Sequence, residues 1–341
     1  MGRLKIVAFS LVGIVLTIAL IFLLTGMSVA TFVQQLFNAL QYGSFLALIA
    51  LGYSMVYGVL LLFNFTHGDI FMVGAYIGLG VSIGLMALVA WLGIPPLPNW
   101  LLLALTILLA MLLTSFVGML VERIGYRPLR EAPRASAAIT GLMIGIILET
   151  GNLALLGAQR QRFPTLIERK PIDLEKWLPL DVTVTNTKIM IVILSLLLMV
   201  LLHLFVRRTK WGMAMRAMAY DFVVVPLMGV PLNTIAALTF ALGSALAAAA
   251  GIFFGIAYPI LEPYMGLLVG WKAFVAAILG GRGSILGAAL AGFLLGFIEI
   301  FVAAIFPSTL RDVIAYTIIL LILTFRPHGF FGEPYTARLR L

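Results

Sequence analysis

Ten nearly uncharged apolar runs of about thirteen to twenty-seven residues follow one another along the chain, at 6–24, 36–62, 70–92, 101–121, 135–156, 189–206, 234–257, 265–279, 285–306 and 313–325. About twenty such residues in a helix cross the ~30 Å of bilayer hydrocarbon, where a backbone must satisfy its own N–H and C=O groups. The runs are continuous, unlike the short alternating segments of an outer-membrane barrel. With 63% of residues hydrophobic and 10% charged, against roughly a quarter charged in a soluble domain, little is left for a water-soluble core. The expected fold class is all-α: a polytopic transmembrane helical bundle of nine to ten spans, some of them broken.

A net charge of +9 would suggest nucleic acid in a soluble protein, but here the cations sit in short loops between apolar runs, where they set orientation. Arg123, Arg127, Arg130 and Arg134 fall in one loop and Arg207, Arg208, Lys210 and Arg216 in another on the same side. Together with Arg3, Lys5, Arg326, Arg338 and Arg340 they place both chain ends in the cytoplasm. The longest opposite loop, 157–187, mixes both signs of charge and is longer than a connection needs; a binding or lid role and a solvated hairpin both fit it. The chain has no cysteine and three scattered histidines, so no metal site and no cofactor are expected.

The first run, 6–24, is either an extra transmembrane helix or a signal peptide ending at Ser28-Val29-Ala30; its nineteen residues exceed the ~7–15 of a signal core and favour retention.

Two interruptions stand out. NFTHGD at 64–69 gathers polar and hinge residues between two spans, at or below the inner end on this topology. Asp69 has the form of a helix N-cap and Gly68 of a turn, while Asn64 and His67 fit the non-helical backbone that lines transporter cavities. The second, LGGRGS at 279–284, follows a run of only fifteen residues and contributes Gly280, Gly281, Gly283 and Ser284. Paired breaks in short hydrophobic segments point to a transport path. Small residues follow both breaks: Gly74, Gly78, Gly80 and Gly84 after the first, and Gly287, Ala288, Ala291, Gly292 and Gly296 after the second. Such faces let helices approach closely.

Glu149, Lys272 and Glu299 lie within apolar runs. A charge facing lipid at mid-bilayer costs roughly 2.5–3.5 kcal/mol, so each is expected to face protein or water. Lys272 and Glu299 are expected either to line a path or to form a buried salt bridge, and Glu149, near an outer end, to be wetted.

The longest inner connection, 207–233, is rich in Ala and Met and holds Arg216 and Tyr220 one helical turn apart. It suits either a cytoplasmic groove or the membrane surface. No GxxxxGK[ST], HExxH or GxSxG motif occurs, so the chain carries no phosphate loop of its own and no sign of enzymatic chemistry.

Three stretches, GSFLALIALGYSMVYGVLLLFNFTHGDIFMVGAYIG, RAMAYDFVVVPLMGVPLNTIAALTFALGSALAAAAGI and GWKAFVAAILGGRGSILGAALAGFLLGFIE, with the closing RPHGFFG, resemble the membrane permease subunit of ABC importers for branched-chain amino acids. The resemblance spans 31–332 and implies an importer permease domain over those residues, followed by a cytoplasmic tail at 333–341. It implies a cell inner (plasma) membrane protein of a bacterium or archaeon that delivers amino acids taken from an external solute-binding protein. It also implies pairing with a second permease, itself or a sister, and docking of cytoplasmic ATP-binding subunits through the inner loop, at Arg216, Ala217, Ala219, Asp221, Leu227 and Gly229. Asn64, His67, Gly68, Asp69, Gly280, Gly281, Gly283 and Ser284 match the family's signature positions and are expected to form the translocation path and its helix breaks. Residues 1–30, Pro226 inside the coupling segment, and the size of the outer loop depart from the family pattern. Related permeases carry urea and short amides. A passive channel or secondary transporter would need no ATPase, and a scaffold would show no flux.

Overall fold

A computed structural model describes residues 26–173, 182–221, 224–281 and 283–332. The expected first span, the tail 333–341, Glu175 and Asp181 of the outer loop, and Arg282 lie outside the described residues.

The helices are α1 (Val29–Leu60), α2 (His67–Trp91), α3 (Asn99–Val121), α4 (Arg134–Leu156), α5 (Asn186–Arg208), α6 (Lys210–Tyr220), α7 (Leu232–Ala257), α8 (Met265–Gly280), α9 (Ile285–Ile305) and α10 (Arg311–Phe325). Each except α6 coincides with one of the apolar runs from 36–62 onward. The reason is the medium: an uninterrupted apolar run can bury its backbone only by coiling. The expected all-α bundle is therefore the fold. Eight helical segments are long and apolar enough to cross a membrane, and α8, at 16 residues, is the shorter one; its ~24 Å is less than the hydrocarbon thickness.

α1 and α7 form the enclosed centre, α2 and α3 pack on α7, and α9 lies along α1. Small residues set these distances. A Cβ on Gly74 would lie 2.6 Å from the Ala248 Cα, and one on Gly251 2.7 Å from the Phe71 carbonyl, so α2 and α7 touch backbone to backbone. Gly292 meets Ala47 and Gly296 meets Gly43 in the same way between α9 and α1. Gly80 and Gly84 have open space beside them, so of the two glycine pairs on α2 only Gly74 and Gly78 seat a neighbour. Towards the periphery, α4, α5 and α10 bury one narrow stripe each and expose leucine, isoleucine and phenylalanine elsewhere. That apolar surface is what a bilayer covers.

The 157–187 loop is docked on the bundle. Gln161–Arg162 (β1) pairs antiparallel with Ile260–Leu261 (β4), and Pro171–Asp173 (β2) with Thr183–Thr185 (β3). Phe163 and Leu166 are buried, and Arg169 donates 2.6 Å to the Ile256 carbonyl, satisfying an orphan acceptor at the end of α7. A plain solvated hairpin is excluded for the described part of this loop.

Candidate functional site

α1 ends at Leu61, whose φ of 56° is the only left-handed backbone outside glycine among the described residues. A branched side chain there costs on the order of 1 kcal/mol and persists because its surroundings hold it. His67 N–H then donates 3.1 Å to the Asn64 carbonyl, and α2 starts at once. Thr66 takes the N-cap position, with its hydroxyl donating 2.8 Å to the Gly141 carbonyl of α4. Asp69 is thus in the first turn rather than at the cap, because the tight Asn64–His67 turn moves the helix start upstream.

The turn also lies deeper than the inner end of a span, where the topology put it. Gly52 of α1, Gly243 of α7, Gly145 of α4, and Gly266 and Gly270 of α8 surround His67, Gly68 and Asp69. Gly68 makes this possible: a Cβ on it would stand 2.6 Å from the Gly266 carbonyl and 2.7 Å from the Gly270 Cα. The Tyr126 hydroxyl, carried on a π-helical turn (Glu122–Tyr126) that extends α3, donates 3.0 Å to Asn64 Oδ1. His67 stands edge-on to Tyr53, ring centroids 4.8 Å apart.

Beside this turn, between α1, α2, α4 and α8, is a cavity of about 290 Å³. Asp69 and Glu149 supply its charges, Tyr53, Phe65, Trp271 and Phe274 an aromatic wall, and Leu142, Met143, Ile146 and Leu267 an aliphatic one. Asp69 is buried, and its Oδ1 has no hydrogen-bond partner among the described residues. Glu149, read from sequence as a wetted residue near an outer end, is half-buried and shares this cavity with Asp69. Exposed Met143, Ile146, Leu267 and Trp271 form the open side.

The second break is elsewhere. Gly281 (φ 105°) and Gly283 (φ 82°) turn the chain, and Ser284 caps α9 by accepting from Gly287 N–H at 3.1 Å. Gly283 lies against Gly58 at the last turn of α1. The two breaks sit at opposite ends of α8, so they do not form one site. The RPHGFFG segment closes over the second: Phe330 N–H donates 2.9 Å to the Leu279 carbonyl and Phe331 N–H 3.1 Å to that of Gly280, capping α8. Gly329 (φ 74°) would place a Cβ 2.6 Å from the Ile278 and Leu279 carbonyls. Gly329→Val is expected to cost about 1–3 kcal/mol, read as a lower melting temperature of the detergent-solubilised chain.

The charged residues separate likewise. Lys272 Nζ lies 2.7 Å from Glu299 Oε2 and 2.9 Å from Asp312 Oδ1. The buried salt bridge is found and neither partner lines the Asp69 cavity, while Lys272 lines a different one.

The inner connection forms two pieces. α6 is capped by Thr209, which accepts from Gly212 N–H at 3.0 Å, and ends at Tyr220. A 3-10 turn, Val225–Met228, follows, with Pro226 in its first turn, where a missing N–H costs nothing. Met215 and Met218 are buried against Val59 and Ile235, while Trp211, Met213, Arg216, Tyr220, Leu227 and Met228 are exposed. Arg216 donates to the Val206 carbonyl, tethering α6 to α5. Ala217, Ala219 and Asp221 are partly exposed, and Gly229 turns the chain at φ 80°.

Sequence reasoning missed Tyr53, Tyr126, Gly141, Gly145, Gly266 and Gly270. The four glycines carried a signal in their two spacings of four on α4 and α8; the tyrosines carried none, since their role depends on which helices become neighbours.

The sequence profile of the family described as "Branched-chain amino acid transport system / permease component" matches residues 35–323. The chain is 39% identical over 303 residues, covering 89% of it and 96% of the relative, to the high-affinity branched-chain amino acid transport system permease protein BraD of Pseudomonas aeruginosa. It is 36% identical over 305 residues, with the same coverage, to the permease protein LivH of Escherichia coli strain K12. It is 26% identical over 315 residues to a probable branched-chain amino acid transport permease protein LivH of Methanocaldococcus jannaschii. With its eight candidate spans it is a multi-pass protein of the inner membrane. The chain belongs to the permease-component family of branched-chain amino acid transport systems.

Proposed function

We propose that this chain is the membrane permease subunit of an ATP-driven ABC importer for branched-chain or related amino acids delivered by an external solute-binding protein. The observation that carries the reading is the cavity at the first break, which joins a buried carboxylate with one unpartnered oxygen to aromatic and aliphatic walls. Its volume, about 290 Å³, is at the lower end of small-molecule sites. Asp69 and Glu149 suit an ammonium group, the aromatic faces add cation–π attraction, and the aliphatic wall suits a branched side chain. Because Asp69 already neutralises the positive end of α2, the ammonium rather than the carboxylate faces this break. Neutral urea or short amides would leave the two acids without a counter-charge.

The charge bias supports a cytoplasmic α6, on the side where ATP-binding subunits would meet their nucleotide. A push on Trp211, Met213 and Leu227 passes through Met215 and Met218 to Val59, next to the strained Leu61. The same turn of α1 holds Gly58, which touches Gly283 of the second break. The coupling segment therefore packs on the end of α1 that leads into the first break and touches the second, an arrangement that suits rocking of rigid helices. A second permease, itself or a sister, would cover the open side of the Asp69 cavity.

The test is uptake of labelled leucine into proteoliposomes holding the chain with the permease and ATP-binding subunits that co-purify with it and the external binding protein. Asp69→Asn is expected to lower ATP-dependent uptake at least ~30-fold, the equivalent of ~2 kcal/mol, with co-purification unchanged. A wild-type rate would overturn the assignment of this cavity. Uptake by the chain alone, without nucleotide, would establish the channel or secondary-transporter reading instead.

A further inference from the structure

A second cavity, of about 400 Å³, opens at the opposite end of the bundle from α6, beside β1 and β4. Tyr42, Phe254 and Tyr258 form an aromatic wall, Leu268 and Val269 an aliphatic one, and Lys272, Arg311 and Asp312 stand at its base. Arg160 and Glu262, paired at 2.9 Å, form the rim. Behind the base lies Glu299, which holds Lys272 and has Arg311 Nε at 3.7 Å.

Three cations therefore face three anions, and the cluster has no net charge. A bare anion or cation entering it would leave one charge uncompensated beside the buried Lys272–Glu299 pair. A zwitterion would not. The contacts made by Arg311 run through Nε, at 3.2 Å to Asp312, so its terminal nitrogens remain for a bidentate carboxylate. Asp312 and Glu262 are each about half exposed and can accept an ammonium.

We propose that this cavity is a separate binding site for free α-amino acids, with the carboxylate on Arg311, the ammonium on Asp312 or Glu262, and the side chain against Tyr42, Phe254 and Tyr258. The proposal deepens the transport reading by giving the substrate a first station on the side where the external binding protein docks, and its direction of use rests on that reading. α8 is the wall between the two cavities: Trp271 faces the Asp69 site and Lys272, the next residue, faces this one.

The charge argument yields a test that a purely structural role would not pass. Saturation-transfer NMR on the full-length chain in phosphatidylcholine-type micelles compares leucine, leucinamide and 4-methylpentanoate, the zwitterion, cation and anion of one skeleton. Leucine is expected to bind best. Arg311→Gln is expected to weaken leucine at least about tenfold, since the amide can replace at most one of the two charge-assisted hydrogen bonds, and to make leucinamide the preferred ligand. Asp312→Asn is expected to shift preference the other way, to 4-methylpentanoate. Both leave the Lys272–Glu299 pair in place; should one variant elute aggregated, the other decides. Unchanged preference in a folded variant, no binding of leucine, or displacement of leucine by short-chain phosphatidylethanolamine at equal concentration would each overturn the proposal. The measurements are repeated on the Asp69→Asn chain, where ligand held at the Asp69 cavity is removed and the ligand preferences that remain belong to this cavity alone, so loss of uptake there and failure here are separate results.

Discussion

Lys272→Met is expected to destabilise the bundle by about 3–5 kcal/mol, the cost of leaving one partner of a buried ion pair alone. Glu299 is 1% exposed and would lose its 2.7 Å contact. Arg311, with Nε at 3.7 Å from the same carboxylate, can compensate only in part. The result puts the loss near the lower end of that range, measured as the thermal midpoint of the purified chain in one detergent. Lys272→Met combined with Glu299→Met is expected to recover most of it, since replacing both charges by packed apolar groups is close to neutral. The remaining Arg311 and Asp312 keep each other at 3.2 Å. A single variant that melts like the wild type would show that the charge on Lys272 plays no part in holding α8, α9 and α10 together.

Gly68→Leu is expected to be as severe for a different reason. Its Cβ would meet the Gly266 carbonyl and the Gly270 Cα at 2.6 and 2.7 Å, and these are backbone atoms of another helix, which cannot rotate away. Overpacking commonly costs about 1–3 kcal/mol, and here the start of α2 and the whole of α8 must part, so a loss at the top of that range is expected, together with loss of uptake. Gly80→Leu is the matched control, with nothing within 4 Å of the added carbon. Equal melting temperatures for the two variants would mean that the α2–α8 apposition does not hold the first break in place.

These variants test one geometric idea, that a short helix stands between two chemically different cavities. One face of α8 presents Gly266, Gly270, Trp271 and Phe274, and the other Met265, Leu268, Val269 and Lys272.

Apolar run length is a one-dimensional property, and in a bilayer it decides local structure almost alone. The all-α class and the nine apolar helices from α1 to α10, α6 aside, were for that reason legible without a structure, as was the family, through motifs spread in order along the chain. The tertiary structure decided everything that depends on which helices become neighbours. It set the depth of the 64–69 turn, because Gly266 and Gly270 are nearly two hundred residues away in sequence. It moved the α2 cap from Asp69 to Thr66, because the Gly141 carbonyl on α4 takes the Thr66 hydroxyl. It put Glu149 in the same cavity as Asp69, set the two breaks at opposite ends of α8, and used RPHGFFG to cap that helix. These placements depend on segments far apart in the chain, several of them meeting at distances that only glycine permits, as at Gly68, Gly270 and Gly329, and no run length records them.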